Sequence, residues 1–587
     1  MTPDNARGSN NNYEESSDML DASRTLDSGN EKFKPPPDLT PPLHLFPPTV
    51  RPLHPAPTNR KTQDNSYKGY VKLCLCGVTL MGIAFGVHFI EPVQVAKKIT
   101  LTMRPDSYIF DLWKAPPIKL YIKVFVFNIT NAHEFMAGID HKLKVEEVGP
   151  YTYSEKLENT NVSFFDNDTL SFNPVRKIIF EKELSVGDPY RDIVTVTNIP
   201  LLGLASMMHN SSIGMSLMLS TLISYMDAQP LLTLPVDSFL WGYDDPLVKL
   251  ARRTVPAWIN FERFGLLDRM IDEGNYRVNM YLKKTEDSDQ FMVSTINGSP
   301  GLKNWGYDSS SNRTSKCNSA RGTTEGYLMP ANLQPNSSFT IFRRAFCRPL
   351  PFVYVGQEIT RQGYRAFRYS FPDNILDPDN PDNKCYCKKD GCLKRGLSDL
   401  SPCYYNIPVA ISLPHFYKAD KSLVEGVEGL NPNEEKHASV YAVQPDSGVP
   451  LYVKTRVQTN LVLKHSKYIP RVRKFNDLVI PVFWMEVELM GLPKSVTMLM
   501  DLLLIIGPAL QHYSIALSAI AGLAIVFFAN LRYAWRSGLF DSRRRATLIR
   551  FRQKQRHSSQ RGDIKPKDNA LYVQLMPIPN TQQYISR

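Results

Sequence analysis

The sequence lacks the short motifs that would announce an enzyme. No GxSxG, HExxH or Walker loop occurs in its 587 residues, so serine-hydrolase, zinc-protease and phosphate-loop chemistry have no motif to rest on. Cysteine is scarce, at eight residues. The tightest group, Cys385, Cys387 and Cys392, has no histidine or fourth cysteine at ligand spacing, so neither a metal nor a cofactor is expected. Basic residues are scarce where a nucleic-acid surface would need them. The formal charge is +12, but residues 532–587 hold 13 Lys/Arg against three Asp/Glu and residues 1–72 hold nine of each, which leaves 73–531 at +2. The excess belongs to the tail, and no nucleic-acid partner is implied.

Charged side chains are missing from two long runs. Leu73–Ile90 is apolar except for His88, and His512–Leu531 has no Asp, Glu, Lys or Arg. At about 1.5 Å per residue each run is long enough to cross a hydrocarbon core of ~30 Å. The first run follows a long polar tail and precedes no small-x-small cleavage site, so it reads as a signal anchor. The expected organisation is a cytosolic tail at 1–69, a span at 70–92, an ectodomain at 93–510, a span at 511–531 and a basic cytosolic tail at 532–587.

Orientation follows from the second span. Arg532, Arg536 and Arg543–Arg545 crowd its C-terminal side, whereas Lys494 stands alone on the other, and positive charge stays cytoplasmic. Both termini are therefore expected in the cytosol. The glycosylation sequons agree. Asn128, Asn161, Asn167, Asn210, Asn297, Asn312 and Asn336 all lie between the spans, and neither tail has one. The proline-rich stretch at 35–57 cannot bury a core and reads as a linker or a ligand for SH3 or WW modules. Cys74 and Cys76 sit at the cytosolic mouth of the first span as candidates for palmitoylation. Tyr572 and Leu575 form a tyrosine-x-x-apolar motif of the kind that adaptor proteins read for sorting.

The ectodomain reads as mainly β with a helical insert, an α+β pattern. Leu451, Val453, Thr455, Val457, Thr459, Leu461 and Leu463 alternate with Tyr452, Lys454, Arg456, Gln458 and Asn460. That period of two predicts a long strand with one face buried and one wet. A second alternation starts at Ile118, and a third run, 478–489, carries Pro481, which predicts an edge position or a bulge. Helical character is confined to 199–232, where two apolar runs flank His209–Ser212 and no Lys or Arg occurs. Residues 496–508 read either as an amphipathic helix near the membrane or as the start of a kinked second span. Asp244 and Asp245 before Pro246 suit a cap or a turn. His415, beside apolar neighbours, reads as structural. Six cysteines lie outside the membrane, an even number that argues for three disulfides in one of 15 possible sets.

Several blocks carry a family resemblance. They are LWKAPP at 112–117, FNITNAHEF, EEVGPYTYSE, LWGYDDPL at 240–247, CYC with the following cysteines, SLPHF, GLNPNEEKH and Val457–Asn460. In this order, over roughly 110–490, the chain resembles the class B scavenger receptor family. The resemblance implies a large antiparallel β-barrel with a lipid tunnel and an apical helical bundle, held by two transmembrane helices. It implies the pairs Cys317–Cys385, Cys347–Cys403 and Cys387–Cys392. It places ligand docking on the apex, here Met207, Met208, Met215, Leu217, Met218 and Leu219. Since this apex lacks cations, an apolar ligand or a protein partner suits it better than an anionic particle.

The function so implied is a receptor, not an enzyme, that binds lipids or lipoproteins and passes apolar cargo to the membrane. Two other readings stay open. One is a lysosomal or endosomal trafficking receptor for a luminal protein, and the other is a two-span channel subunit. The expected residence is the plasma membrane, with endosome and lysosome as alternatives, and adaptor proteins are expected partners of the tails.

Overall fold

Leu120, Ile122, Val124 and Val126 are nearly inaccessible, and the residues between them are half-buried. This alternation builds the first strand of a sheet that runs through the whole ectodomain. The computed structural model describes residues 60–271, 276–285, 289–311 and 314–537, with a few positions between 546 and 553. Gly69 onward is one compact unit; of the other, Met1–Lys68, only the helical stretch from Arg60 is described. Tyr572, Leu575 and Asn312 lie outside the described residues.

The strands are β1 (Leu120–Ile129), β2 (Val145–Phe165), β3 (Thr169–Phe180), β4 (Ile193–Thr197), β5 (Leu231–Pro235), β6 (Val278–Tyr281), β7 (Val293–Ile296), β8 (Phe339–Phe342), β9 (Pro349–Ile359), β10 (Arg365–Ser370), β11 (Ser398–Asp399), β12 (Val409–Ser412), β13 (Val440–Gln444), β14 (Val449–Val462) and β15 (Val479–Leu489). The main sheet has 13 strands in the order β7-β6-β3-β2-β1-β15-β14-β13-β10-β9-β8, with β12 also on β14 and β11 on β12. Its pairings are antiparallel. A short segment reaches both outer strands. Val293 N–H donates to Thr323 O at 2.7 Å on the β7 side, and Thr324 N–H donates to Thr340 O at 2.8 Å on the β8 side.

Pro481 sits in the middle of the sheet, since β15 lies between β1 and β14. The register slips between Thr459 and Asn460 where Asn460 meets Pro481, so the missing N–H is absorbed by a bulge rather than an edge. The long strand differs from its expected pattern. Arg456, Gln458 and Asn460 are buried instead of wet, because the segment from Leu397 to His437 covers that face. Leu397, Ala410, Phe416 and Leu423 make a small core under this cover.

Three disulfides staple the loops: Cys317–Cys385, Cys347–Cys403 and Cys387–Cys392. The first two enclose 68 and 56 residues of sequence separation, and long closures of this kind restrict the unfolded chain most.

Two helices are long and apolar enough to cross a membrane, Tyr67–Thr100 and Lys494–Arg536. The first bends at Glu91, whose φ is 46°, and restarts at Pro92. In the second, 494–500 run through a π-helical turn at 501–506 into 507–536, so the apolar stretch begins a longer span. The two helices touch through glycine. A Cβ on Gly77 would sit 2.7 Å from Gly522 O, and one on Gly522 would sit 2.7 Å from Gly77 O. Such close backbone approach is what small residues permit in membrane helices. Tyr70 adds a hydrogen bond from its hydroxyl to Asn530 Oδ1 at 3.0 Å.

This contact makes a testable contrast. Gly522→Leu is expected to overpack the helix pair and destabilise the protein by about 1–3 kcal/mol. Gly82→Leu, where a side chain meets open space, is expected to be neutral. Melting of the two detergent-solubilised variants beside the parent measures the difference.

Candidate functional site

The apolar residues of several strands converge on one cavity of about 120 Å³. Leu120 of β1, Ile341 of β8, Leu350 of β9, Val453 of β14 and Leu489 of β15 all line it. In strand order β1 and β8 are far apart, so the sheet curls around the hollow. Trp113, soon after the first membrane helix, and Leu492 and Val496, at the start of the second, complete the wall. The cavity therefore lies at the end of the ectodomain from which both spans leave. Apolar walls of this kind keep a cavity dry.

A buried charge cluster borders the hollow. Glu325, Tyr327 and Arg343 line it, with Glu155 and Arg176 behind. Tyr327 O–H donates to Glu155 Oε1 at 2.5 Å, and Arg343 Nη1 reaches both Glu155 oxygens at 3.3 Å. Arg176 Nε lies 3.1 Å from Glu155 Oε1, and its Nη2 lies 3.6 Å from Glu325. Burial alone would raise Glu155, but the Arg343 and Arg176 charges and the Tyr327 hydroxyl hold it below the usual carboxylate range. Glu325 goes the other way: burial outweighs the two arginines and raises it. The cluster is the polar end of an otherwise apolar space.

His415 falls in a second buried network, where the sequence places it as structural. Its Nδ1 accepts from Asn431 N–H at 3.1 Å, so the proton is on Nε2 and points at Glu147 Oε2, 2.6 Å away. Trp484 Nε1–H donates to the same oxygen at 2.7 Å. His437 stacks on His415 with centroids 4.5 Å apart, and its Nδ1 accepts from Asn433 N–H at 2.9 Å. Asp245 caps the helix at 246–254, accepting from Leu247 and Val248 N–H, while Asp244 faces Lys249. Adjacent in sequence, the two carboxylates do unrelated work.

The apex residues divide. The helix Ile199–Met207 is largely buried, with Met207 and the following Met208 half-buried. On Ile213–Tyr225, Met215, Leu217 and Met218 are 46%, 53% and 60% exposed, but Leu219 is 4% exposed and packs with the core. Leu219 faces inward because residues 216, 219 and 223 form the buried stripe of that helix, which removes it from any docking face. Cys76 is exposed, Cys74 half-buried, and both are free thiols. Asn161, Asn167, Asn210, Asn297 and Asn336 are exposed. Asn128 is half-buried, and its Oδ1 accepts from Thr195 N–H at 2.8 Å. Among the described residues no group of three or more His, Cys, Asp or Glu could hold a metal. The charge cluster went unseen in the sequence, since Glu155, Arg176, Glu325 and Arg343 are too far apart for any local pattern.

Comparison with known proteins agrees with this architecture. The family model described as the CD36 family matches residues 72–533. The chain belongs to the CD36 family. It is similar to scavenger receptor class B member 1 of Sus scrofa, with 29% identity over 73% of this chain and 81% of that protein. The same receptor from Mus musculus is 29% identical over 71% and 80% of the two chains. Lysosome membrane protein 2 of Homo sapiens is 31% identical over 67% of this chain and 79% of its own length. Membership of the CD36 family makes this chain a membrane receptor, not an enzyme.

Acid is expected to weaken the fold through His437. Burial is the main cause that drops its pKa to about 4; its neighbours His415, Arg456 and Lys436 lower it further, and Glu147 opposes them. Below about pH 6.5 the unfolded chain binds a proton that the folded chain refuses, so stability falls between about 6.5 and 4, by up to ~3 kcal/mol. Melting temperature against pH should show this slope, and His437→Gln should flatten it.

Proposed function

We propose that this protein is a lipid receptor whose ectodomain is a closed β-barrel that takes up apolar cargo at its apex and releases it beside the two spans. The observation that carries this reading is the apolar cavity at the root of both membrane helices, walled by strands from distant parts of the sheet. The segment at 322–324, bonded to both outer strands, supports closure. Burying an acyl chain gains about 0.8 kcal/mol for each CH₂, which suffices to hold cargo without ionic contacts. At about 120 Å³ the hollow is smaller than the ~300–1,000 Å³ that encloses drug-sized ligands. Its walls therefore part to admit a long chain. Both termini lie in the cytosol, Cys74 and Cys76 carry acyl groups, the exposed sequons carry glycans, and Tyr572 and Leu575 engage an adaptor.

A second reading has its own support. The exposed, cation-free face of Met215, Leu217 and Met218 suits an apolar patch on a luminal protein as well as a lipid particle, and one group of relatives bears the name lysosome membrane protein 2.

Two variants test the lipid route. Leu492→Trp, on the cavity wall next to the second span, is expected to cut uptake of a fluorescent acyl lipid severalfold at unchanged surface level. Leu217→Asp is expected to leave the fold intact and reduce uptake, whereas Leu219→Asp buries a charge and abolishes expression. Unchanged uptake by both Leu492→Trp and Leu217→Asp sinks the lipid route and leaves the protein-receptor reading. Its own check is co-purification of a luminal protein that Leu217→Asp no longer captures.

A further inference from the structure

A smaller hollow, of about 20 Å³, adjoins the apolar cavity. Trp113, Glu325, Tyr327 and Leu328 line both, so the two spaces meet at one wall. Phe172, Val278, Phe291 and Val293 keep most of the small hollow apolar. A volume of this size holds about one water-sized group.

Two acceptors at this junction lack a donor. Asn159, on β2, is 1% exposed and lines the small hollow. Its Nδ2 donates to Trp113 O at 2.8 Å. A carbonyl can only accept, so this bond orients the amide and leaves Oδ1 as its open end. That oxygen is buried and has no hydrogen-bond partner. The Glu325 carboxyl, 12% exposed, faces Arg176 at 3.6 Å, an ion pair longer than a hydrogen bond. The donors around it are committed elsewhere. Tyr327 and Arg343 turn to Glu155, and Tyr441 turns to the Gly326 carbonyl. A buried acceptor without a donor is costly, so a ligand that brings a donor to this point gains what the protein alone leaves unmade.

We propose that the apolar cavity takes a long-chain primary alcohol, with its hydroxyl lodged in the small hollow against Asn159 and Glu325. The assignment rests on the lipid reading above and narrows it to one headgroup. The alkyl chain lies in the larger, apolar space, where burial of each CH₂ holds it. A hydroxyl donates one bond and accepts others. It can donate to Asn159 Oδ1, and it meets the Glu325 carboxyl in either protonation state. Other heads fit less well. A fatty-acid anion brings only acceptors and a charge to a point lined by acceptors. An ester also only accepts, and it is bulkier than one water-sized group. An ammonium would donate, but it would enter beside the Arg343 and Arg176 guanidiniums. A site built to hydrogen-bond a hydroxyl discriminates strongly against analogues that lack one, because its own buried groups are then left unpaired.

The experiment measures binding of tritiated decanol to the full-length protein in lipid nanodiscs at neutral pH, with empty nanodiscs subtracted for partition into the bilayer. Unlabelled decanol, decanoic acid, methyl decanoate and decylamine compete at matched free concentrations. Decanol is expected to compete at least about tenfold better than each of the others. Glu325→Leu should lower decanol affinity by at least about tenfold and leave competition by methyl decanoate against a tritiated ester unchanged, whereas Glu325→Gln, which keeps a donor and an acceptor, should stay within about threefold of the parent. Should Glu325→Leu fail to fold, the ranking of heads on the parent decides alone. Leu492→Trp, on the wall of the larger cavity, should reduce binding of decanol and ester alike. If the ester or the acid matches decanol and Leu492→Trp weakens them all, the small hollow holds only water, and the hydroxyl assignment falls while the lipid route stands. If no probe binds above empty nanodiscs, both fall together. Decanol binding that Leu492→Trp leaves unchanged lies elsewhere and also overturns the proposal, as does an unchanged decanol affinity in folded Glu325→Leu.

Discussion

Arg456, Gln458 and Asn460 are polar side chains on an inner strand of the sheet, β14, and burying them without partners would cost several kcal/mol. Their partners fix where a large part of the ectodomain lies. Arg456 Nε meets Glu486 Oε2 at 2.5 Å across to β15. Gln458 Oε1 accepts from the backbone of His415 at 2.7 Å, and its Nε2 donates to Asn460 Oδ1. Asn460 Nδ2 then donates to Ser412 Oγ at 2.9 Å and to Ala410 O. The bonds to His415, Ser412 and Ala410 reach from β14 into the covering segment. The cover in turn brings His415 and His437 onto Glu147 and Trp484, so the residues of SLPHF and of GLNPNEEKH meet at one buried point.

The same logic holds at the apolar cavity. Around the apolar cavity the charges are balanced, two carboxylates against two arginines, and they satisfy one another behind the wall. Removing one member of such a cluster is costly, because it leaves an uncompensated buried charge, and the mutual pairing offsets the desolvation of the rest.

The membrane helices show a third use of constraint. Asp501 would be costly in a lipid-facing helix. Tyr364, from the turn before β10, donates its hydroxyl to Asp501 Oδ1 at 2.6 Å. That bond fastens the start of the second helix to the ectodomain, close to where the apolar cavity opens.

Much of this was legible in the residues alone. Long uncharged runs mark two candidate spans, because 18 or more apolar residues between polar flanks match the thickness of a hydrocarbon core. Alternation determines strands, and the quoted blocks determine the family. The cavity, the charge cluster and the faces of β14 were decided only by the tertiary structure. Periodicity states which residues share a face, but whether that face meets water or another segment depends on contacts between residues tens to hundreds of positions apart. Leu219 illustrates the limit: its neighbours Leu217 and Met218 point outward, and a shift of one or two residues on a helix turns a side chain from solvent to core. The sequence by itself determined the elements and their order; the packing of distant segments decided which polar groups are buried and with what they are paired.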